Sequence, residues 1–297
     1  TEWNELSSCF SAYNPATFVQ FIRHAVTVSN GYVLPRDLYD VLTGKMASGV
    51  AVSPPELLGQ LRKALPLYLQ ILDPTTTGPA TSTQLSIFSV LKHVGVASVR
   101  PVLLALTSTP NAEEGMGVLL RQVIRRMVVG NLSTGSIERR FGQAAQEIAR
   151  VGTWADALAD LDDLSDSADE FEERLVTRSM NKQLLALIRA SVIQNTVTPD
   201  ITGSLFLVIP RSGDWPDDEL DRVSFWASTI GNVILANEDR RPMGSSTWAG
   251  FKNELLPKAV EGEWVDKIRS HSVWGVGPVE DMGKQFAKAA VDVWYSI

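Results

Sequence analysis

Leu205-Phe206-Leu207-Val208-Ile209-Pro210 is the stretch on which the fold class turns. It is apolar throughout, too short for a helix, and closed by a residue that cannot donate a backbone hydrogen bond, so it suits a buried strand. Thr196-Val197-Thr198-Pro199 leads into it, and Gly231-Asn232-Val233-Ile234-Leu235-Ala236 downstream reads as a second strand entered through a glycine turn. Upstream the period changes. Phe18, Phe21, Ile22, Ala25 and Val26 recur at the three-and-four spacing of one helical stripe. Leu57, Leu58, Leu61 and Leu65 repeat it, as do Leu119, Leu120, Val123, Ile124, Met127 and Val128, and then Ile137, Phe141, Ala144, Ala145 and Ile148. Punctuation agrees: Asn14-Pro15, Pro35 with Asp37, Ser53-Pro54-Pro55-Glu56 and Thr83 open helices, while Asn30-Gly31 and Gly130-Asn131 close them. The expectation is a mainly α chain, with a helical array over residues 1–195 followed by a small irregular α+β unit over 196–297.

With 297 residues, 44% apolar and 21% charged, the chain can bury a sizeable core in one or two domains. No apolar run approaches the roughly 20 residues of a membrane-spanning helix. The start, Thr1-Glu2-Trp3-Asn4-Glu5, lacks the cationic head and apolar stretch of a signal peptide. A cytoplasmic protein without membrane contact is expected, and a chain opening on Thr1 is expected to be the C-terminal piece of a longer one. The lone Cys9 and three scattered histidines, His24, His93 and His271, leave no set for structural zinc. Six tryptophans in the last third (Trp215, Trp226, Trp248, Trp264, Trp274, Trp294) read as core rather than a base-stacking surface.

The net charge of −7 is unevenly spread: residues 1–150 carry 13 Lys/Arg against 10 Asp/Glu, residues 151–297 carry 14 against 24. Arg121, Arg125, Arg126, Arg139, Arg140 and Arg150 make a basic stretch, whereas Asp156 to Glu173 is acidic, interleaved with Leu158, Leu161, Leu164 and Phe171. Such a run is most often a solvated helix face, and less often a dock for a basic partner. Phosphate loops, zinc-protease motifs and nucleophile elbows are absent from the sequence. Cys9 is expected to be inert and His24 and His93 structural or solvated. His271, in a loop before Trp274, is the better candidate for chemistry.

The order Pro210, Trp215, Ile230-Gly231-Asn232-Val233-Ile234-Leu235, Phe251-Lys252, Trp264, Phe286-Ala287 and Trp294 resembles the C-terminal domain of GmrSD-type restriction proteins. These are anti-phage effectors, among them one that senses phosphorothioated DNA. Val123-Ile124-Arg125-Arg126-Met127-Val128-Val129-Gly130, followed by Ile137 and Phe141, resembles the family's paired-arginine helix, so the likeness covers roughly residues 90–297. It implies an HNH-like nicking endonuclease unit, bound to phage or modified DNA and governed by an upstream nucleotide-hydrolysing domain. In such a unit a histidine general base activates water while a divalent ion, usually Mg²⁺, holds the scissile phosphate. This chain departs from the pattern. Leu207 stands at the histidine position, Ser246 falls near the later asparagine, and Asn232 alone is kept. Leucine accepts no proton and binds no metal, so hydrolysis should fall by several powers of ten, unless His271, Asp214 or Asp239 substitutes.

The catalytic candidates are therefore Asn232 and His271. The phosphate-contacting candidates are Arg125, Arg126, Arg139, Arg140, Arg211, Arg240, Arg241 and Lys252. Without a histidine partner, Gly231-Asn232 reads more readily as a strand-entry turn, in which glycine permits the backbone and asparagine caps it, than as a catalytic pair. The rival function is a helical scaffold that docks a protein through residues 156–173 and has no nucleic-acid role.

Overall fold

A computed structural model describes residues 2–45, 53–130, 134–164 and 167–296, the side chains of Thr134 and Leu164 excepted. Thr1, Asn131 and residues 165–166 of the acidic stretch lie outside the described residues. The described residues are mainly helical with one two-stranded antiparallel sheet, and the chain forms two compact units. The first comprises residues 1–122 and 131–164, the second 123–130 and 165–297. The division does not follow the expected 195/196 boundary, because the helices of residues 168–194 belong with the later residues.

In the first unit the helices are α1 (Glu2–Ser8), α2 (Ala16–Asn30), α3 (Leu38–Leu42), α4 (Pro54–Leu72), α5 (Ser82–His93), α6 (Arg100–Leu106), the start of α7 (Ala112–Val129), α8 (Thr134–Val151) and α9 (Ala155–Ala159). Asn14 Oδ1 accepts from Ala16 N at 2.9 Å where α2 begins, and Gly31 ends it at φ 77°. The cap of α5 is Thr81 rather than Thr83: its hydroxyl accepts from Gln84 N while the Gln84 side chain accepts from Thr81 N, a capping box that leaves Thr83 inside the helix. The core lies where α2 meets α4, α6 and α8. Phe21 and Tyr68 pack there with ring centroids 4.8 Å apart and planes tilted by 48°. The solvated-face reading of the acidic stretch fits the burial pattern: Leu158, Leu161 and Phe171 are buried, while Asp156, Asp160, Asp162, Asp163 and Glu173 are exposed.

The second unit holds the end of α7, then α10 (Ala168–Thr177), α11 (Lys182–Gln194), β1 (Ser204–Leu207), α12 (Val223–Trp226), β2 (Val233–Ala236), α13 (Trp248–Gly250), α14 (Glu263–Arg269) and α15 (Val276–Tyr295). The strands pair in the register Leu207↔Val233, Phe206↔Ile234, Leu205↔Leu235 and Ser204↔Ala236. β1 thus stops three residues short of Pro210, yet Val208 N still donates to Asn232 O at 2.7 Å. α15 is the centre of the unit, packing on α10, α11, α12 and the 3-10 turn Ile230–Asn232. All six tryptophans of this region are at most 8% exposed, which makes them core. The indole of Trp294 donates to Ser191 Oγ at 2.9 Å, tying α15 to α11.

Candidate functional site at the strand pair

Asn232 sits at the foot of β2 with no exposed surface. Its Oδ1 accepts from Ile209 N at 3.2 Å and from the Trp274 indole at 2.9 Å, while Nδ2 donates to Ile209 O at 2.8 Å and Ala227 O at 2.9 Å. An amide has two lone pairs and two protons, so this one has no capacity left for a substrate or an ion. Leu207 lies next to it in register, half-buried. The strand of Leu207 and the turn of Asn232 are therefore adjacent.

Gly231 is needed for space, not for backbone freedom. Its φ is outside the left-handed region, and a Cβ there would be driven into the carbonyl oxygen of Val279 on α15. The strand-entry reading placed the right residue and missed the reason, which is the close approach of a helix.

The half-buried His271 stands edge-on to the Trp274 ring, with centroids 5.5 Å apart and planes at 87°. Both catalytic candidates thus contact one indole, and Trp274 is buried to 1% exposure between such contacts. Asp214 and Asp239 are exposed, and Ser246 offers its carbonyl to Asp214 N at 3.3 Å. A divalent ion does not fit the matched positions, since Leu207 has no donor atom and both Asn232 lone pairs are occupied by N–H groups.

The cationic candidates divide by what they already hold. Arg241 donates to the carbonyls of Leu207 (2.6 Å), Val208 (2.8 Å) and Ser245. Burial draws its pKa below the ordinary arginine value, and it serves as an internal clamp on the end of β1. Arg125 donates to Trp294 O and lies 3.9 Å over the Tyr295 ring. Arg126 is half-buried, and desolvation likewise lowers its pKa. In the first unit, Arg140 grips both Asp163 carboxylate oxygens, at 2.8 and 2.6 Å, and the Asp160 carbonyl, whereas Arg139 is exposed. The acidic stretch is therefore partly the counter-charge of the basic one.

Arg211 and Arg240 are exposed. Lys252 sits 4.9 Å over Trp248 and is half-buried. Arg211 donates to Ser224 O at 3.2 Å, which anchors it one residue from Phe225, an aromatic ring that is 50% exposed.

Neither protein-family models nor curated proteins match this chain.

Sequence reasoning missed the buried ion pair that organises the unit. Arg189, 1% exposed on α11, makes a bidentate pair with Glu261, donating from Nε at 2.6 Å and from a terminal nitrogen, and also donates to Ile230 O at 3.1 Å. Glu261 in turn accepts from Leu235 N of β2 at 2.6 Å, so one carboxylate links helix, turn and strand. The signal was present: a lone arginine inside Leu184-Leu185-Ala186-Leu187-Ile188-Arg189-Ala190, a stretch otherwise apolar over nearly two turns, requires a buried partner.

Proposed function

We propose that residues 165–297, with the end of α7, act as a DNA-engaging effector module of a bacterial anti-phage restriction protein, an HNH-like unit that does not hydrolyse its bound strand. The observation that carries this reading is the pairing of Leu207 with Val233, the residue after Asn232, with every hydrogen-bonding atom of the asparagine amide engaged internally. The arrangement suits a nuclease-like scaffold whose centre has become core. Arg211, Arg240 and Lys252, on the segments leaving the two strands, supply the phosphate contacts, and the exposed ring of Phe225 beside the Arg211 anchor suits a base contact. The upstream nucleotide-hydrolysing domain remains the partner that the family resemblance implies.

A plasmid incubated with the protein and Mg²⁺ or Mn²⁺ should stay supercoiled, while duplex DNA should be retained at low salt and released at moderate salt. Metal-dependent nicking by the wild-type chain would overturn the non-hydrolytic part: its loss in His271→Ala would make that histidine the base, and its survival there would require another. Absence of DNA retention at both salt levels would overturn DNA engagement and leave the scaffold reading. One observation favours that rival: both units are net acidic, the first with 11 Lys/Arg against 14 Asp/Glu and the second with 16 against 20.

A further inference from the structure

A cavity of about 480 Å³ opens in the first unit among α2, α4, α5, α6 and the loop before α5. That volume lies within the range of small-molecule sites, and its lining is mostly built before any ligand arrives. Gln70, 2% exposed, reaches from α4 into the loop: its Nε2 donates to Thr76 O at 3.1 Å and its Oε1 accepts from Ala80 N at 2.8 Å. Gly78 lies against the same amide so closely that a side chain there would displace it. Pro79, which lines the cavity, is thereby held between two pinned residues. On its other side the Thr81–Gln84 capping box fixes the first turn of α5. A loop so fixed does not have to be ordered on binding.

We propose that this cavity binds a small molecule with an apolar body and a single anionic group, a monocarboxylate or monosulfonate. The apolar part faces Val28, Leu67, Pro79 and Leu104. Lys63 is the charged group of the lining, exposed at the rim, and forms no ion pair among the described residues. The capping box engages Gln84 through Oε1 and leaves its Nε2 protons for a ligand acceptor. A polyanion is disfavoured because the lining offers one ammonium, and the Glu113 carboxylate accepts from the hydroxyl of the lining Thr81 at 2.6 Å. A cationic ligand would meet Lys63 directly. This site is independent of the DNA reading, since it involves the other unit.

The test uses the full chain with two fluorescent probes of nearly the same body: 1-anilinonaphthalene-8-sulfonate, which is anionic, and N-phenyl-1-naphthylamine, which is neutral. Each should bind at one saturable site per chain. Lys63→Gln should weaken the sulfonate about fivefold and leave the neutral probe unchanged. Ala64→Trp, filling the cavity from α4, should weaken both by about tenfold or more. Ser108→Trp, at an exposed rim position, should do the same and decides the matter if the first filler disturbs the far-ultraviolet circular dichroism. The proposal is overturned by the lack of a saturable site for either probe, by several equivalent sites, by Lys63→Gln acting alike on both probes or on neither, or by wild-type binding in a folded filler variant.

Discussion

A buried carboxamide with all four of its hydrogen-bonding positions filled is a structural group, and Asn232 is one. Its removal exposes nothing to solvent; it strands Ile209 N, Ile209 O, Ala227 O and the Trp274 indole in a dry interior. Each orphaned buried group costs about 1–3 kcal/mol, with partial relaxation between neighbours. Asn232→Ala should therefore lower the stability of the second unit by about 3 kcal/mol or more. Tryptophan fluorescence reports this directly, since six of the eight tryptophans lie between residues 215 and 294. An unchanged urea midpoint would show that the amide is dispensable to the fold. Any loss of activity in this variant has to be read against that destabilisation, whereas His271, half-buried and edge-on to one ring, can be truncated with little effect on the core.

At the scale of elements, the turn before β2 and the middle of α15 make a second pair of opposites. The Cβ of Gly231→Ala would strike the Val279 backbone carbonyl, which cannot move without opening α15, so a loss of more than about 3 kcal/mol is expected. Gly283 faces it from the helix, but a Cβ there would meet Val176 Cγ1 at 3.5 Å, an ordinary contact. Gly283→Ala should be neutral or stabilising by up to about 1 kcal/mol through helix propensity. Denaturant midpoints that rank the two variants the other way would refute this account of the turn. The contrast also shows what could be read from sequence. Helical stripes, the two strands and the buried tryptophans follow from local period and composition, and the two strand segments matched observed strands to within a few residues. The reason for Gly231, the clamp made by Arg241 and the Arg189–Glu261 pair depend on contacts between residues far apart in the chain, which periodicity does not encode. The same holds for the unit boundary: residues 165–195 have the helical period of the first array but pack with the C-terminal residues.

For the molecule as a whole, two charge effects give measurable slopes. His24 is buried against Tyr68, with Nδ1 and the phenol oxygen 2.9 Å apart, and burial, reinforced by the Arg23 and Arg100 charges, pushes its pKa from 6.5 down to about 3. The unfolded chain then binds a proton near pH 6.5 that the folded chain refuses until about pH 3. Stability from this group is full above 6.5 and declines as pH falls through that window, by about 1.4 kcal/mol per pH unit. Near pH 5 the first unit should thus be about 2 kcal/mol weaker from His24 alone. His24→Gln should flatten that part of the urea-midpoint profile, and a profile identical to wild type would refute the assignment. The second slope concerns DNA. Net charge repels a polyanion from both units, so attraction has to come from a local cluster rather than a general basic field. With Arg241 and Arg125 bound to internal carbonyls and Arg126 desolvated, the second unit's remaining candidates are the exposed Arg211 and Arg240 and the half-buried Lys252. Three phosphate contacts correspond to a slope of about −3 in log affinity against log salt, and each arginine removed should reduce it by about 1. Fluorescence anisotropy of a labelled duplex should therefore give a slope near −2 for Arg211→Ala and for Arg240→Ala, and near −1 for the pair. A slope unchanged by the double substitution would place the contacts elsewhere, and a slope of zero in the wild type would remove DNA from the account altogether.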